Sequence, residues 1–529
     1  MITKRTMKNR VLTFINWFLN DPFFSSMLAG VLFTLAFAPF NIWPIVFVAI
    51  PLFLFSIQNT SKIMQVFWNG WAFGFGHYVT SLYWIANSLT FQSDKFIWLT
   101  PFAVLGIPSA LGIYTALLAV FTCLFRTNKL IRVLAFASLW VVFEWIRSNY
   151  FFPFPWNLAG YILGGNNYIL QSANIVGLYG ASFIVILLSS AFYIRNKKVL
   201  LAYLLICALV FSFGSYRFNN QTNDFVEYAN IKLIQPNLTP PHFGDIEIQK
   251  DHIIKLVEAT VLSPQENITH IIWPEAAYPV MLQENDKSLR TLATLAPPEG
   301  ALIFGADRIE RDLAPDDPLK PFKIFNSLMV VDSEKNLLAA YDKELLVPFG
   351  EYVPLRTYLP MMDKIAQGIM DFSKGANING KVIDTPTLPP FLPLICYEIT
   401  IPDLRTDKQT EWILNITTDL WFGNTIGPYQ HLAMARFRAV ELGVPVIRVA
   451  NTGVSAVFTA YGKELQRLGY GESGSIVTKI PAPIFNSFNA WLRDFFSSFP
   501  FYVLVLMVMI EIHNRVKKRK KAANPHRLF

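Results

Sequence analysis

The chain has 529 residues, 53% of them hydrophobic and only 16% charged, with 46 Phe and a net charge of +8. Soluble domains carry roughly 25% charged residues, so this composition excludes a wholly soluble globular protein. Lys and Arg gather at both ends, in "MITKRTMKNR" and "RVKKRKK"; beside apolar spans such ends mark cytoplasmic flanks rather than nucleic-acid arms, and no nucleic-acid partner is expected.

The N-terminus is basic but shows no small-residue cleavage site behind a short apolar core, so no removable signal peptide is expected. Residues 11–20, "VLTFINWFLN", are too short to span and suit the membrane interface. Seven apolar spans follow, near 25–40, 41–57, 64–89, 97–125, 131–148, 167–194 and 199–215. With a cytoplasmic N-terminus, the inner loops carry Lys62, then Arg126, Lys129 and Arg132, then Arg195, Lys197 and Lys198. The outer loops carry little: Lys95 beside Asp94, and the uncharged stretch 150–166. This positive-inside bias places residues 217–490 outside the cytoplasm, and a last span near 491–512 returns the basic tail inside. The division expected is a seven-span domain (1–216), an extracytoplasmic domain (217–490), and a final span with a basic cytoplasmic tail (491–529).

In the outer segment short β-branched runs alternate with helical stretches. "IKLIQ" (231–235), "HIIW" (270–273), "ALIFG" (301–305), "NSLMVV" (326–331), "FLPLIC" (391–396), "WILNIT" (412–417), "PVIRVA" (445–450) and "SAVFTA" (455–460) read as strands. Residues 247–262 and 430–442 read as helices. The alternation predicts a layered α/β fold. There is no internal repeat, glycine-rich phosphate loop or metal-spaced histidine cluster, so neither cofactor nor metal is expected.

Three polar positions stand at predicted strand ends: Glu275 in "IIWPEAAYP", Lys343 with Glu351 in "YDKELLVPFGEYVP", and Cys396 in "LICYEIT". Singly each has a structural reading: a helix-capping acid, a surface ion pair, a core thiol. Cys123 and Cys207 fall in apolar spans and read as packing, which leaves Cys396 the one extracytoplasmic cysteine. A lone thiol in a compartment where disulfides form is a sign of reactivity.

Taken together, Pro-Glu after an apolar strand, Asp-Lys-x-x-Leu-Val-Pro-Phe-Gly-Glu and Cys-Tyr-Glu resemble the nitrilase, or carbon–nitrogen hydrolase, superfamily. "TTDLWFG" (417–423) and "ARFRAVELGVPVIRVANTG" (435–453) add to that resemblance. With "LAFAPFNIWP" (35–44), "GFGHYVTSLYW" (74–84) and "FPWNLAGY" (154–161), nearly the whole chain resembles the apolipoprotein N-acyltransferase family. The resemblance implies a polytopic α-helical membrane domain plus an extracytoplasmic α/β nitrilase-like domain of αββα sandwich form. It implies Glu275 as general base, Lys343 with a backbone N–H near Tyr397 as oxyanion stabiliser, and Cys396 as nucleophile. Glu351 and Glu398 are expected to support them. The reaction implied is ping-pong: Cys396 takes an acyl chain from a membrane phospholipid, and the α-amino group of a diacylglyceryl-cysteine apolipoprotein attacks the thioester. The implied location is the bacterial inner membrane with the catalytic domain on the periplasmic side, and a monomer is expected.

Aromatic loops such as "MMDKIAQGIMDF" (361–372) and "LWF" (420–422) are candidates for a lipid-facing mouth, with Trp421 and Phe243 as substrate-binding residues. Family members carry a Trp in the loop after the first strand of this domain; here that loop reads "QPNLTPPHFGD", and Phe243 holds roughly that place. Two other readings stay open: a membrane-tethered amidase or nitrilase-type hydrolase using the same three residues, and a non-catalytic scaffold, which intact Glu275, Lys343 and Cys396 disfavour.

Overall fold

The computed structural model describes residues 20–58, 62–90, 93–222, 224–239, 245–262, 267–283, 287–312, 322–356, 358, 364, 370–376, 382–402, 404, 409–484 and 487–523. Residues 11–19 of the interfacial segment, Phe243, and much of the 361–372 loop lie outside these. The chain forms two compact units: residues 1–86, 99–216 and 487–529, and residues 87–98 with 217–486. The stretch 87–98, whose first three residues fall within the third expected span (64–89), thus groups with the second unit, and the helix of that span ends at Ser81.

The first unit is helical, because a backbone in lipid must satisfy its hydrogen bonds within each segment. Ile97–Thr122, Ala173–Ile194, Lys197–Asn219 and Phe488–Arg519 are long and apolar enough to cross a membrane. Pro22–Thr34 and Val46–Gln58 have 13 residues each, about 20 Å of helix against a hydrocarbon core of about 30 Å. Ile63–Ser81 and Lys129–Asn149, at 19 and 21 residues, have the length but bury polar side chains. Glu144 accepts from the Ala159 N–H at 2.7 Å and the Trp140 indole at 2.9 Å, and Arg147 donates to the Trp156 carbonyl at 2.8 Å. Ionisable groups inside such a bundle face inward and take hydrogen-bond partners, as these do.

The second unit holds thirteen strands among its described residues: β1 (Phe225–Gln235), β2 (His270–Ile272), β3 (Tyr278–Leu282), β4 (Ala301–Arg311), β5 (Phe322–Asp332), β6 (Leu337–Asp342), β7 (Ile383–Thr385), β8 (Leu388–Ile395), β9 (Trp412–Thr417), β10 (Val446–Ala450), β11 (Ser455–Phe458), β12 (Glu464–Leu468) and β13 (Gly474–Pro481). One sheet runs β13-β1-β2-β4-β5-β6, with β3 beside β4; the other runs β12-β11-β10-β9-β8-β7. The sheets pack face to face through β1, β5, β8 and β10. The helix Ile246–Val261 covers the outer face of the first sheet and Gly427–Leu442 that of the second. The result is four layers, αββα. Strands covered on both faces carry apolar residues without alternation, and every residue of β9 and β10 is buried.

All eight strands and both helices expected from sequence are present. Five strands were not expected. β7 has three residues and β3 lies off the main strand path, while β6, β12 and β13 are edge strands. An exposed edge strand loses the apolar pattern that reveals buried ones. Cys396, read as the end of its strand, instead opens a 3₁₀ turn, Cys396–Thr400, directly after β8.

Candidate active site

The site grows from the ends of β2, β6 and β8. Glu275 follows Pro274 beyond β2, where the Gly305 N–H donates to the Pro274 carbonyl at 3.2 Å. No side chain fits at Gly305: a Cβ there would lie 2.5 Å from Pro274 O and 2.7 Å from Glu275 Cα. Lys343 follows β6 and donates its backbone N–H to Asn326 O at 2.8 Å. Ala276, Phe349 and Cys396 adopt positive φ, 47°, 61° and 52°. Left-handed backbone at non-glycine residues costs energy and persists only where its surroundings over-determine it.

Glu275, Lys343 and Glu351 form one buried cluster. Lys343 Nζ donates to Glu351 Oε1 at 2.8 Å and to Glu275 Oε1 at 3.3 Å. Asn326 Nδ2 bridges the same two oxygens at 3.2 and 2.8 Å. The Thr418 N–H donates to Glu275 Oε2 at 2.7 Å, and the Val347 N–H to Glu351 Oε2 at 2.8 Å. Both carboxylates are thereby locked in orientation. Burial works against the Lys343 ammonium, but the Glu351 and Glu275 carboxylates outweigh it and hold its pKa well above the ordinary value. Burial raises the pKa of Glu275, opposed by Lys343 and by its hydrogen bonds from Asn326 and Thr418. An ammonium has three N–H donors, and the bonds to the two carboxylates use two of them.

Cys396 is buried within electrostatic reach of Glu275 and Lys343, and its thiol is hydrogen-bonded to Thr417. Burial, then the Glu275 charge, push the thiol well up, against the pull of Lys343. The resting group is therefore a thiol, and attack requires its proton to leave for a base as the new bond forms. Glu398 ties the turn of Cys396 to the segment of Lys343. Its Oε1 accepts from the Glu344 N–H at 2.7 Å, the Leu345 N–H at 3.2 Å and the Tyr341 hydroxyl at 3.0 Å, and its Oε2 from the Ile395 N–H at 2.7 Å. Tyr397 is buried in the same turn. Trp421 is half-buried in the turn Leu420–Phe422, and its carbonyl accepts from Asn87 Nδ2 at 3.3 Å.

Several residues of this neighbourhood were missed in the sequence: Asn326, Asp307, Asn415, Thr417, Asp419, His431 and Arg448. Asp307 lies opposite Asn326 across β4 and β5, where burial pushes its carboxyl up to about 7. The available signal was a polar side chain inside an apolar strand, as in "WILNIT" and "PVIRVA". Such a group stays in a covered sheet only with partners.

Residues 240–483 match the carbon-nitrogen hydrolase family, and residues 29–191 match the apolipoprotein N-acyltransferase N-terminal domain. Among solved structures, an amidase from Nesterenkonia sp. is 17% identical with a TM-score of 0.33, covering 49% of this chain and 93% of the amidase. Over nearly full length the chain is similar to proteins named apolipoprotein N-acyltransferase. That of Bradyrhizobium diazoefficiens is 35% identical, covering 93% of this chain and 94% of the relative. That of Rhodopseudomonas palustris is 33% identical at 92% and 93%, and that of Rickettsia bellii 33% at 88% and 94%. Likeness on this scale takes in the helical half as well as the α/β half, and the chain belongs to the apolipoprotein N-acyltransferase family.

Proposed function

We propose that the protein transfers an acyl chain from a membrane phospholipid, through a Cys396 thioester, to the α-amino group of an apolipoprotein's N-terminal diacylglyceryl-cysteine. The observation that carries this reading is the buried Lys343 held between Glu275 and Glu351 with the Cys396 thiol in reach of the first two, on a chain of this family.

The reaction runs in two halves. Cys396 Sγ attacks the ester carbonyl while Glu275 takes the thiol proton. Lys343 and the Tyr397 N–H stabilise the oxyanion. The carbon–oxygen bond breaks, the lysophospholipid alcohol leaves with the proton from Glu275, and the thioester remains. In the second half the neutral amine attacks the thioester, Glu275 takes its proton, and that proton returns to Sγ as the amide forms. Lysophospholipid leaves before the acceptor reacts, which makes the kinetics ping-pong. Glu351 acts through Lys343, and Glu398 acts by positioning the turn. Both substrates carry acyl chains, which suits a catalytic unit anchored in the inner membrane on its periplasmic side and working as a monomer.

The test is intact-protein mass spectrometry after incubation with phospholipid in detergent micelles, wild type against Cys396→Ala. The expected result is a mass gain of one acyl chain, labile to hydroxylamine, absent in the variant, and cleared by a diacylated lipopeptide that becomes N-acylated. Clearance by water alone would make the protein a hydrolase. A folded wild type that takes no acyl group from any phospholipid would refute the transfer route.

A further inference from the structure

Behind the nucleophile lies a charged network that the two half-reactions do not use. Asn415, Asp419, His431 and Arg448 are all fully buried. Arg448 stands opposite Asn415 in the β9–β10 register and donates to Asn415 Oδ1 at 2.6 Å. Its Nη2 donates to both Asp419 oxygens, at 2.9 and 2.7 Å. His431, on the helix Gly427–Leu442, has Nδ1 2.9 Å from Asp419 Oδ1 and 3.1 Å from Arg448 Nη2. Its Nε2 lies 3.1 Å from the carbonyl oxygen of Cys396. A carbonyl only accepts, so Nε2 carries the proton whether the ring is neutral or charged. Asn415 Nδ2 reaches the same carbonyl at 3.4 Å and that of Leu394 at 3.2 Å.

The carbonyl so held belongs to the peptide unit joining Cys396 to Tyr397. That unit is planar and trans, so its C=O and N–H point in opposite directions. Gripping the carbonyl from the side of β9 and the helix aims the Tyr397 N–H away from the network. The grip also opposes a backbone preference: Cys396 sits at φ 52°, a region unfavourable for a non-glycine residue. A buried ion pair is an expensive way to fill a core, and this one is spent on a single carbonyl beside the reactive thiol.

We propose that His431, held by Asp419 and Arg448 and seconded by Asn415, is the positioning residue of the oxyanion hole. It draws the Cys396 carbonyl inward so that the Tyr397 N–H faces the oxygen of the acyl group under attack. This rests on the thioester route above but is indifferent to whether an amine or water finishes the reaction.

The test uses the full-length protein in detergent micelles and two reactions of Cys396. Acylation by a fatty-acid p-nitrophenyl ester passes through an oxyanion and releases p-nitrophenolate. Alkylation by iodoacetamide forms an S–C bond and expels iodide, with no oxyanion. His431→Met loses the donor, and His431→Gln keeps one. Asn415→Asp stays paired with Arg448 but sets an oxygen against the Cys396 carbonyl. For His431→Met, p-nitrophenolate release is expected to slow roughly 10²-fold in kcat at unchanged KM, with alkylation within about twofold of wild type. His431→Gln recovers most of the rate, and Asn415→Asp shows the same selective loss. Equal loss of both reactions in His431→Met and Asn415→Asp would make the network merely structural and overturn the proposal. Unaltered acylation in either variant would overturn it too. A wild type that releases p-nitrophenolate but acylates no lipopeptide would sink amine transfer alone and leave the His431 effect measurable.

Discussion

Asn326 bridges the proposed base and the carboxylate that holds the proposed oxyanion stabiliser, donating to Glu275 Oε1 and Glu351 Oε1. Its bond to Glu275 favours the charged carboxylate, against the burial that raises that group's pKa. A general base must be ionised to act, so with Glu275 in that role activity is expected to be lost as pH falls through its raised value, above the ordinary 4.5. Replacing Asn326 by Leu removes a charge-assisted hydrogen bond, and the acid limb of kcat/KM should move up by about one pH unit. A pH–rate profile of the two proteins with unmoved acid limbs would contradict this role for Asn326. Glu275, Lys343, Glu351 and Cys396 were marked in the sequence only by their three motifs taken together, since singly each had a structural reading. Asn326 was not: it opens "NSLMVV", and only the register of β5 between β4 and β6 gives it partners.

At the scale of elements, the site depends on backbones that approach closely. β4 passes so near the end of β2 that only glycine fits at Gly305, where a Cβ would meet Pro274 O, Ala276 N and Glu275 Cα all within 2.7 Å. Gly305→Ala must push the Glu275 segment outward. Overpacking of this kind costs about 1–3 kcal/mol, and a shifted base should lower kcat at least tenfold, because the reacting groups lose their alignment. Thermal unfolding and steady-state kinetics in micelles check both effects; a variant with wild-type Tm and kcat would mean that β2 and β4 can separate freely. Buried strands such as β9 and β10 were readable as apolar runs, and helix Gly427–Leu442 lies close to its expected bounds. β12 and β13 were not, since an edge strand keeps one side in water and its pattern dissolves into polar residues.

At the scale of the whole molecule, the charge pattern predicts a topology. The basic loops around Arg126–Arg132 and Arg195–Lys198 and the tail "RVKKRKK" share one sign and are expected on the cytoplasmic side. Thiol-reactive labelling of single-cysteine variants tests this in intact cells, in a background with Cys123, Cys207 and Cys396 all replaced. A membrane-impermeant reagent should modify Glu334→Cys and spare Lys517→Cys; the reverse pattern would invert the orientation. The sequence by itself determined that a long apolar half precedes an α/β half, which strands and helices build the covered sheets, and which acid, lysine and thiol stand at their ends. Hydropathy, periodicity and residue type are local properties, and a linear chain displays them. Only the tertiary structure decided that residues 87–98 join the second unit, that Asn326 binds two carboxylates at once, and that His431 and Asn415 grip the Cys396 carbonyl. Those facts depend on strand register and on the packing of segments far apart in the chain, which bring together residues 19 to 334 positions apart, and no local pattern records them.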